Sequence, residues 1–216
     1  MTKSTLSMAL CALFSSTAFA GDPELSGPLQ AIQDRWAEAN YRLRDDARLA
    51  AFEALNQDVE ALVASNPNDA QALVWQGIVQ STYAGAQGGL SALSLAKQAK
   101  ASLEQAMALD PDVLDGSAWT SLGTLYAQVP GWPIGFGNDK KAREFLSKGL
   151  ELNPEGIDSN YFYAIYLADD GEWEEAAQYL ERAQSAPSRP GRESADAGRQ
   201  MEISTKLAEV KRHTSD

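Results

Sequence analysis

The chain has 216 residues, with 18 basic and 30 acidic side chains and a net charge of −12 at pH 7. Such an acidic chain repels nucleic acid and anionic lipid, so we expect neither as a partner. A single cysteine, Cys11, and a single histidine, His213, exclude an intrachain disulfide and a Cys/His zinc site. No spaced run of acidic residues resembles a calcium loop. We therefore expect a protein with no metal, no cofactor and no enzymatic activity.

Residues 1–20 predict a secretory signal peptide. Lys3 precedes an apolar run at residues 6–14, and Ala18 and Ala20 are the small residues that a signal peptidase requires. The residue before Cys11 is a bulky leucine where a lipoprotein signal needs a small one, so no lipid anchor is expected. Cleavage after Ala20 leaves a single domain of residues 21–216. No later apolar run approaches the length of about 20 residues that spans a membrane, and the predicted location is the periplasm.

Two amphipathic helices are predicted before Pro67. Apolar residues recur at helical spacing in two segments. They are Ile32, Trp36, Ala39 and Leu43, and then Phe52, Leu55, Val59 and Leu62. These segments predict a degenerate first helix pair over residues 28–66.

Three further helix pairs are predicted over residues 67–111, 112–154 and 155–187. Each second helix carries two small residues seven positions apart with a leucine between them, which lets a neighbouring helix approach closely. These triplets are Ala99, Leu103 and Ala106, then Ala142, Leu146 and Gly149, then Ala176, Leu180 and Ala183. A proline follows each triplet and ends the helix.

The segment at residues 119–126 reads Trp-Thr-Ser-Leu-Gly-Thr-Leu-Tyr. It matches the W-x-x-L-G-x-x-Y pattern of tetratricopeptide (TPR) repeats, which have a period of 34 residues. The sequence thus predicts an all-α, TPR-like α-solenoid of about four antiparallel helix pairs. A last helix at about residues 193–212 has Ile203, Leu207 and Val210 on one face and is expected to cap the stack.

The two middle units exceed the TPR period of 34 residues. About ten extra residues lie around residues 83–90, which begin with Tyr83, and about seven lie in residues 129–138. Equivalent turns of adjacent repeats lie side by side, so we expect two enlarged loops that meet at one edge. The second contains Trp132, Ile134 and Phe136. They form either a plug over the helix pair or a rigid aromatic lip for a ligand or partner; Phe136 is the better candidate for the plug and Trp132 for exposure.

The concave groove of a TPR stack is lined by four positions of each first helix. Here these are Gln71, Val74, Ile78 and Ser81, then Ser117, Thr120, Thr124 and Ala127, then Asp158, Tyr161, Ile165 and Ala168. Only Asp158 is charged, so the groove is expected to bind a hydrophobic ligand or helix, or to be filled by the C-terminal helix. The candidate binding residues are Trp132, Ile134, Phe136, Tyr83, Val74, Ile78, Thr120, Thr124, Tyr161 and Ile165.

Two segments, residues 130–142 (Pro-Gly-Trp-Pro-Ile-Gly-Phe-Gly-Asn-Asp-Lys-Lys-Ala) and residues 150–163, resemble exported TPR proteins related to the T-component of TRAP transporters. The resemblance covers residues 67–190 and not residues 21–66, and the family's lipoprotein cysteine is missing at the signal junction. It implies a periplasmic accessory protein that associates with the solute-binding subunit of an organic-acid importer.

The leading hypothesis is therefore a non-enzymatic periplasmic scaffold that binds a partner protein. The alternative is a carrier that holds a small hydrophobic ligand in the concave groove. A continuous cavity behind the groove would favour the carrier, and a filled groove with an exposed apolar edge would favour the partner protein.

Overall fold

A computed structural model describes residues 27–214, so the predicted signal peptide lies outside the described residues. The described part contains nine α-helices. They are α1 (Gly27–Tyr41), α2 (Asp45–Ser65), α3 (Ala70–Gln87), α4 (Gly89–Leu109), α5 (Val113–Gln128), α6 (Asp139–Leu152), α7 (Ile157–Asp169), α8 (Trp173–Ser185) and α9 (Glu193–His213). Residues 114–116 at the start of α5 have positive φ angles, so the regular part of this helix begins after them.

The helices stack as four consecutive pairs, α1–α2, α3–α4, α5–α6 and α7–α8, and each pair packs on the next. Helix α9 packs against α8 and also reaches α7 and α1. Between residues 27 and 214 no strand occurs, only one backbone bridge between Gly131 and Gly137. The predicted all-α, TPR-like solenoid with a C-terminal capping helix is thus confirmed. None of the described helices is long and apolar enough to span a bilayer.

In two of the pairs, the helices pack closely at a glycine on the first helix. In the α5–α6 pair, a Cβ atom placed on Gly123 would lie 2.7 Å from Leu146 Cγ and 2.8 Å from the Leu146 backbone nitrogen. In the α3–α4 pair, a Cβ on Gly77 would lie 2.5 Å from Leu103 Cγ. A glycine on the first helix therefore receives the central leucine of the second, which explains why both leucines are almost fully buried.

The first predicted insertion is not a loop. Helix α3 continues to Gln87 and α4 begins at Gly89, so only Gly88 separates them. The alanine-rich residues before Gly88 favour helix, and Gly88 at φ 66° reverses the chain in one step. The extra residues therefore lengthen the two helices to 18 and 21 residues, and the expectation of an enlarged loop at residues 83–90 is wrong.

The second predicted insertion does form a loop, over residues 129–138 between α5 and α6. It lies against the N-terminal part of α4, because a Cβ on Gly135 would lie 3.3 Å from Leu93 Cδ1. The two lengthened regions therefore meet in space, one as a loop and the other as extended helices.

Candidate partner-binding site

The loop at residues 129–138 is closed on itself by backbone hydrogen bonds. The Gly137 amide donates to the Pro130 carbonyl over 3.0 Å, and the amides of Ile134 and Gly135 both donate to the Gly131 carbonyl over 3.1 Å. A side chain at residue 137 would clash with the backbone on the other side of the loop, so this closure requires glycine there. These bonds give the loop a defined shape instead of leaving it as a loose connection.

The loop anchors to the helix pair through Phe136. This ring is half-buried against the main core, and its centroid lies 5.5 Å from that of Tyr126 in an edge-to-face arrangement. The loop is also fixed where the Asn138 amide donates to the Tyr126 carbonyl over 2.9 Å and the Asn138 side chain caps α6. Phe136 therefore corresponds to the plug interpretation.

The other two apolar side chains of the loop face outward. Trp132 is 90% exposed and Ile134 is 66% exposed. We call these two residues the Trp132 lip. Large apolar groups that are held in water by an ordered loop are typical of interaction surfaces. The plug and lip interpretations thus apply to different residues of one loop.

Two lysines lie at the base of the Trp132 lip. The Lys100 ammonium lies 6.0 Å from the centroid of the Phe136 ring, and the Lys141 ammonium lies 5.1 Å from that of Tyr126. Burial alone would lower the pKa of Lys100, but the hydrogen bond and charge of Glu104 outweigh burial and raise it. Lys100 is therefore charged at neutral pH and is ion-paired with Glu104 over 2.6 Å.

The groove positions predicted on α3 and α5 do not all face a groove. Val74 is fully buried in the main core. Thr120 is only 6% exposed, and its hydroxyl lies against Gly149 of α6, at a close contact between the two helices. Neither side chain is placed to touch an external molecule, because the tight pairing of the helices draws both positions inward.

The other four candidate binding residues of the groove are half-buried. They are Ile78, Thr124, Tyr161 and Ile165. Tyr83 is half-buried as well and packs against both hydrophobic clusters of the protein. These residues lie on α3, α5 and α7, whereas the Trp132 lip lies on the α5–α6 loop. The predicted candidates therefore belong to two separate surfaces.

A C-terminal segment lies against the groove side of α7. We call residues 189–202 the plug segment; it is a different part of the chain from the loop that Phe136 anchors. The Arg199 Nε atom donates to Asp158 Oδ1 over 2.7 Å, and the Arg189 Nη1 atom donates to Asp158 Oδ2 over 2.7 Å. Arg189 also donates to Asp196 over 2.6 Å. The only charged groove position that the sequence identified is thus occupied by two arginines of the chain itself.

The plug segment also contacts α1 and α3. The Gln30 amide donates to the Gly191 carbonyl over 3.3 Å, and Arg42 donates to the Ser194 hydroxyl over 3.3 Å. The Arg192 guanidinium lies 5.6 Å from the Trp75 ring centroid. Contacts to α1, α3 and α7 together show that the segment connects the last helix pair with the first two. The C-terminal helix therefore covers the predicted groove only at α7, because within residues 27–214 helix α9 packs against α1, α7 and α8 and not against α3 or α5.

Charge interactions fix the ionisation of the cluster around Asp158. Burial alone would raise the pKa of Asp158, but the Arg189 and Arg199 guanidinium groups outweigh burial and hold the pKa well below its usual range. Burial raises the pKa of Tyr41 beside the cluster. The charged and titratable groups that face Asp158 are Arg189, Arg192, Arg199, Asp196, Glu202, Tyr41 and Tyr161. Asp158 is therefore an anion at any physiological pH.

An open cavity of about 420 Å³ remains beside the plug segment, between α1, α7 and α9. Its size is within the range of small-molecule sites, but its lining mixes rings with charged groups. The lining includes Tyr41, Arg44, Tyr161, Met201, Glu202 and Lys206. Within residues 27–214, no group of three or more His, Cys, Asp or Glu side chains is arranged to hold a metal ion.

Sequence reasoning missed the plug segment's arginines. Asp158 was the one available signal, because a charge on an otherwise neutral groove needs a partner. Arg189 and Arg199 are 31 and 41 residues away from it in the chain, and nothing local in the sequence links them.

Comparison with solved structures agrees with this geometry. A thermophilic TPR protein from Thermus thermophilus superposes with a TM-score of 0.52 at 20% identity, over 87% of this chain and 96% of that protein. The fold is that of a TPR solenoid. MamA from Desulfovibrio magneticus gives a TM-score of 0.45 at 12% identity, over 89% of this chain and 94% of that chain. No protein-family model matches the sequence, and no curated protein matches it significantly.

Proposed function

We propose that this TPR-like protein is a non-enzymatic scaffold that binds a partner protein through the Trp132 lip. The observation that carries the proposal is the 90% exposure of Trp132 on a loop held by hydrogen bonds and anchored by Phe136. Exposed tryptophans in defined positions are frequent energetic centres of interfaces. A loop that is already ordered loses little conformational entropy on binding.

The surroundings of the lip indicate the chemistry of the partner surface. Lys100 and Lys141 lie near its base, although the chain as a whole has a net charge of −12. A complementary surface has an apolar pocket for the indole ring, and a carboxylate opposite Lys141 would add to the contact, since Lys100 is already paired with Glu104.

The covered α7 end of the groove favours a partner protein over a hydrophobic-ligand carrier. The plug segment occupies part of the space that a carrier would use, at Asp158 and Tyr161 of α7. The cavity beside it is open and has Arg44, Glu202 and Lys206 among its lining residues.

The proposed location is the periplasm, after cleavage of residues 1–20 behind Ala20 and without a lipid anchor. The partner implied by the resemblance to TRAP T-components is a solute-binding subunit in organic-acid uptake. N-terminal sequencing of the protein from its native cells tests export. A first residue of Gly21 supports it, and a chain that retains residues 1–20 contradicts it.

Site-specific photo-cross-linking tests the proposed binding surface. A photoreactive aromatic amino acid replaces Trp132 in one variant and Leu109 in another, and both proteins are produced in the native cells. Leu109 is a matched control because it is an exposed apolar residue on α4, outside the loop and the plug segment. The proposal requires a discrete cross-linked protein from position 132 that is absent from position 109. Equal cross-linking from both positions, or none from position 132, would overturn it.

A further inference from the structure

Helix α9 has two halves with different chemistry. The cap half, residues 203–213, places Ile203, Leu207 and Val210 in the main hydrophobic core. It is fixed further by stacking of His213 on Trp173 of α8, with the ring centroids 4.1 Å apart. This half contributes apolar burial, which is the dominant stabilising term in folding.

The plug segment, which includes the first half of α9, packs through charge and through small residues. Arg199 is 8% exposed, Arg189 is 19% exposed, and both bind Asp158. Arg199 also covers the ring of Tyr161, with the guanidinium 4.5 Å from the ring centroid. Gly198 lets the helix backbone lie directly against the Tyr41 ring, where any side chain would clash.

Contacts of these two kinds differ in how readily they separate. A buried ion pair returns little net stability, because the desolvation of its charges offsets most of their attraction. The same pair discriminates strongly between a cationic and an uncharged occupant of the site, because a buried charge left without its partner is costly. The plug segment can therefore open while the cap half stays packed, provided that another cation replaces its arginines at Asp158.

We infer that the plug segment is an internal ligand, and that the groove site centred on Asp158 accepts an arginine-bearing helix of a partner when the plug segment is released. The plug segment defines the recognised helix: an arginine that binds Asp158 and lies on Tyr161, and a glycine one position before it that fits against Tyr41. An external helix with this pattern competes directly with the plug segment. This site is separate from the Trp132 lip and does not depend on it.

Hydrogen exchange of the full chain tests the division of α9. Asp158→Asn removes the anion that both arginines share, while Arg189 keeps Asp196 and Arg199 keeps Glu202 within the segment. Asp58→Asn is the control because the Arg35–Asp58 pair is exposed. In Asp158→Asn, amides of residues 189–202 should exchange about tenfold faster or more, while residues 203–213 keep their protection. In Asp58→Asn neither region should change. Equal acceleration of both halves, or no acceleration in Asp158→Asn, would contradict the inference.

Peptide binding tests the recognition itself. The probe is a fluorescent synthetic peptide with the sequence of residues 188–202, and the receptor is the full chain carrying Arg189→Ala and Arg199→Ala. The peptide should bind this double variant about tenfold more tightly than the wild-type chain, whose site is occupied. Adding Asp158→Asn to the receptor, or Arg199→Ala to the peptide, should abolish that gain. Equal affinity for the wild-type and double-variant chains would show that the plug segment does not block a binding site.

Discussion

Truncating Phe136 and Trp132 separately to alanine should affect different properties: stability for Phe136 and partner binding for Trp132. Phe136 packs edge-to-face on Tyr126 and joins the loop to the main core, whereas Trp132 is 90% exposed. Phe136→Ala should therefore destabilise the fold. Trp132→Ala should leave the fold intact and remove the contact with the partner.

The magnitudes follow from the burial of each ring. Truncating a fully buried phenylalanine costs about 3–5 kcal/mol. Phe136 is half-buried, so we expect about 2 kcal/mol, of which about 1 kcal/mol is the aromatic pair with Tyr126. For a domain of this size, this shifts Tm by about 4–8 °C. Trp132→Ala should change stability by less than about 0.5 kcal/mol, or about 2 °C.

Differential scanning calorimetry of the two single variants and the wild-type chain gives these Tm values directly. Circular dichroism at 25 °C checks that each variant keeps the helical fold. A larger loss of Tm in Trp132→Ala than in Phe136→Ala would mean that the roles of anchor and lip are reversed.

Three further outcomes test the packing and the charge cluster. In urea titrations, Gly123→Ala should lower the free energy of unfolding by about 1–3 kcal/mol, because its Cβ would lie 2.8 Å from a backbone nitrogen of α6. Gly85 has open space around it, so Gly85→Ala should instead raise the free energy of unfolding by about 0.5–1 kcal/mol. Ala142→Leu and Ala176→Leu should each cost about 1–3 kcal/mol in the same assay, and unchanged stability would refute the helix register. The folded-state pKa of Asp158 is depressed, so ionised Asp158 stabilises the fold above the ordinary carboxyl pKa of about 4, and this stabilisation is lost progressively as pH falls below that value. The wild-type chain should therefore lose more stability than Asp158→Asn between pH 7 and pH 3.

The helix pairs could be predicted because their signals are local. A proline after each triplet of small, large and small residues fixes both the end of a helix and the face that it buries, and Ala142, Leu146 and Gly149 are buried accordingly. The one-residue turn at Gly88 could not be predicted from spacing, since extra residues in a repeat unit lengthen either a loop or the flanking helices. Its positive φ angle is a property of the folded chain.

The candidate site was predictable in one part and not in the other. Glycines and prolines around Trp132 identify an ordered loop, and the large apolar side chains in it already suggested an anchor and a lip. The position of the plug segment depends on contacts between distant parts of the chain, such as that between Gln30 and Gly191, which are 161 residues apart. Single-sequence periodicity contains no information about such contacts.

Affinity for the partner captured at position 132 tests the central claim most directly. The measurement is isothermal titration calorimetry of that purified partner against the wild-type chain, Trp132→Ala and the control Leu109→Ala. Loss of an aromatic energetic centre costs about 2 kcal/mol or more, so Kd for Trp132→Ala should rise about 30-fold or more, with Leu109→Ala within about twofold of the wild-type chain. An unchanged Kd for Trp132→Ala would contradict the proposal that the Trp132 lip is the partner-binding surface.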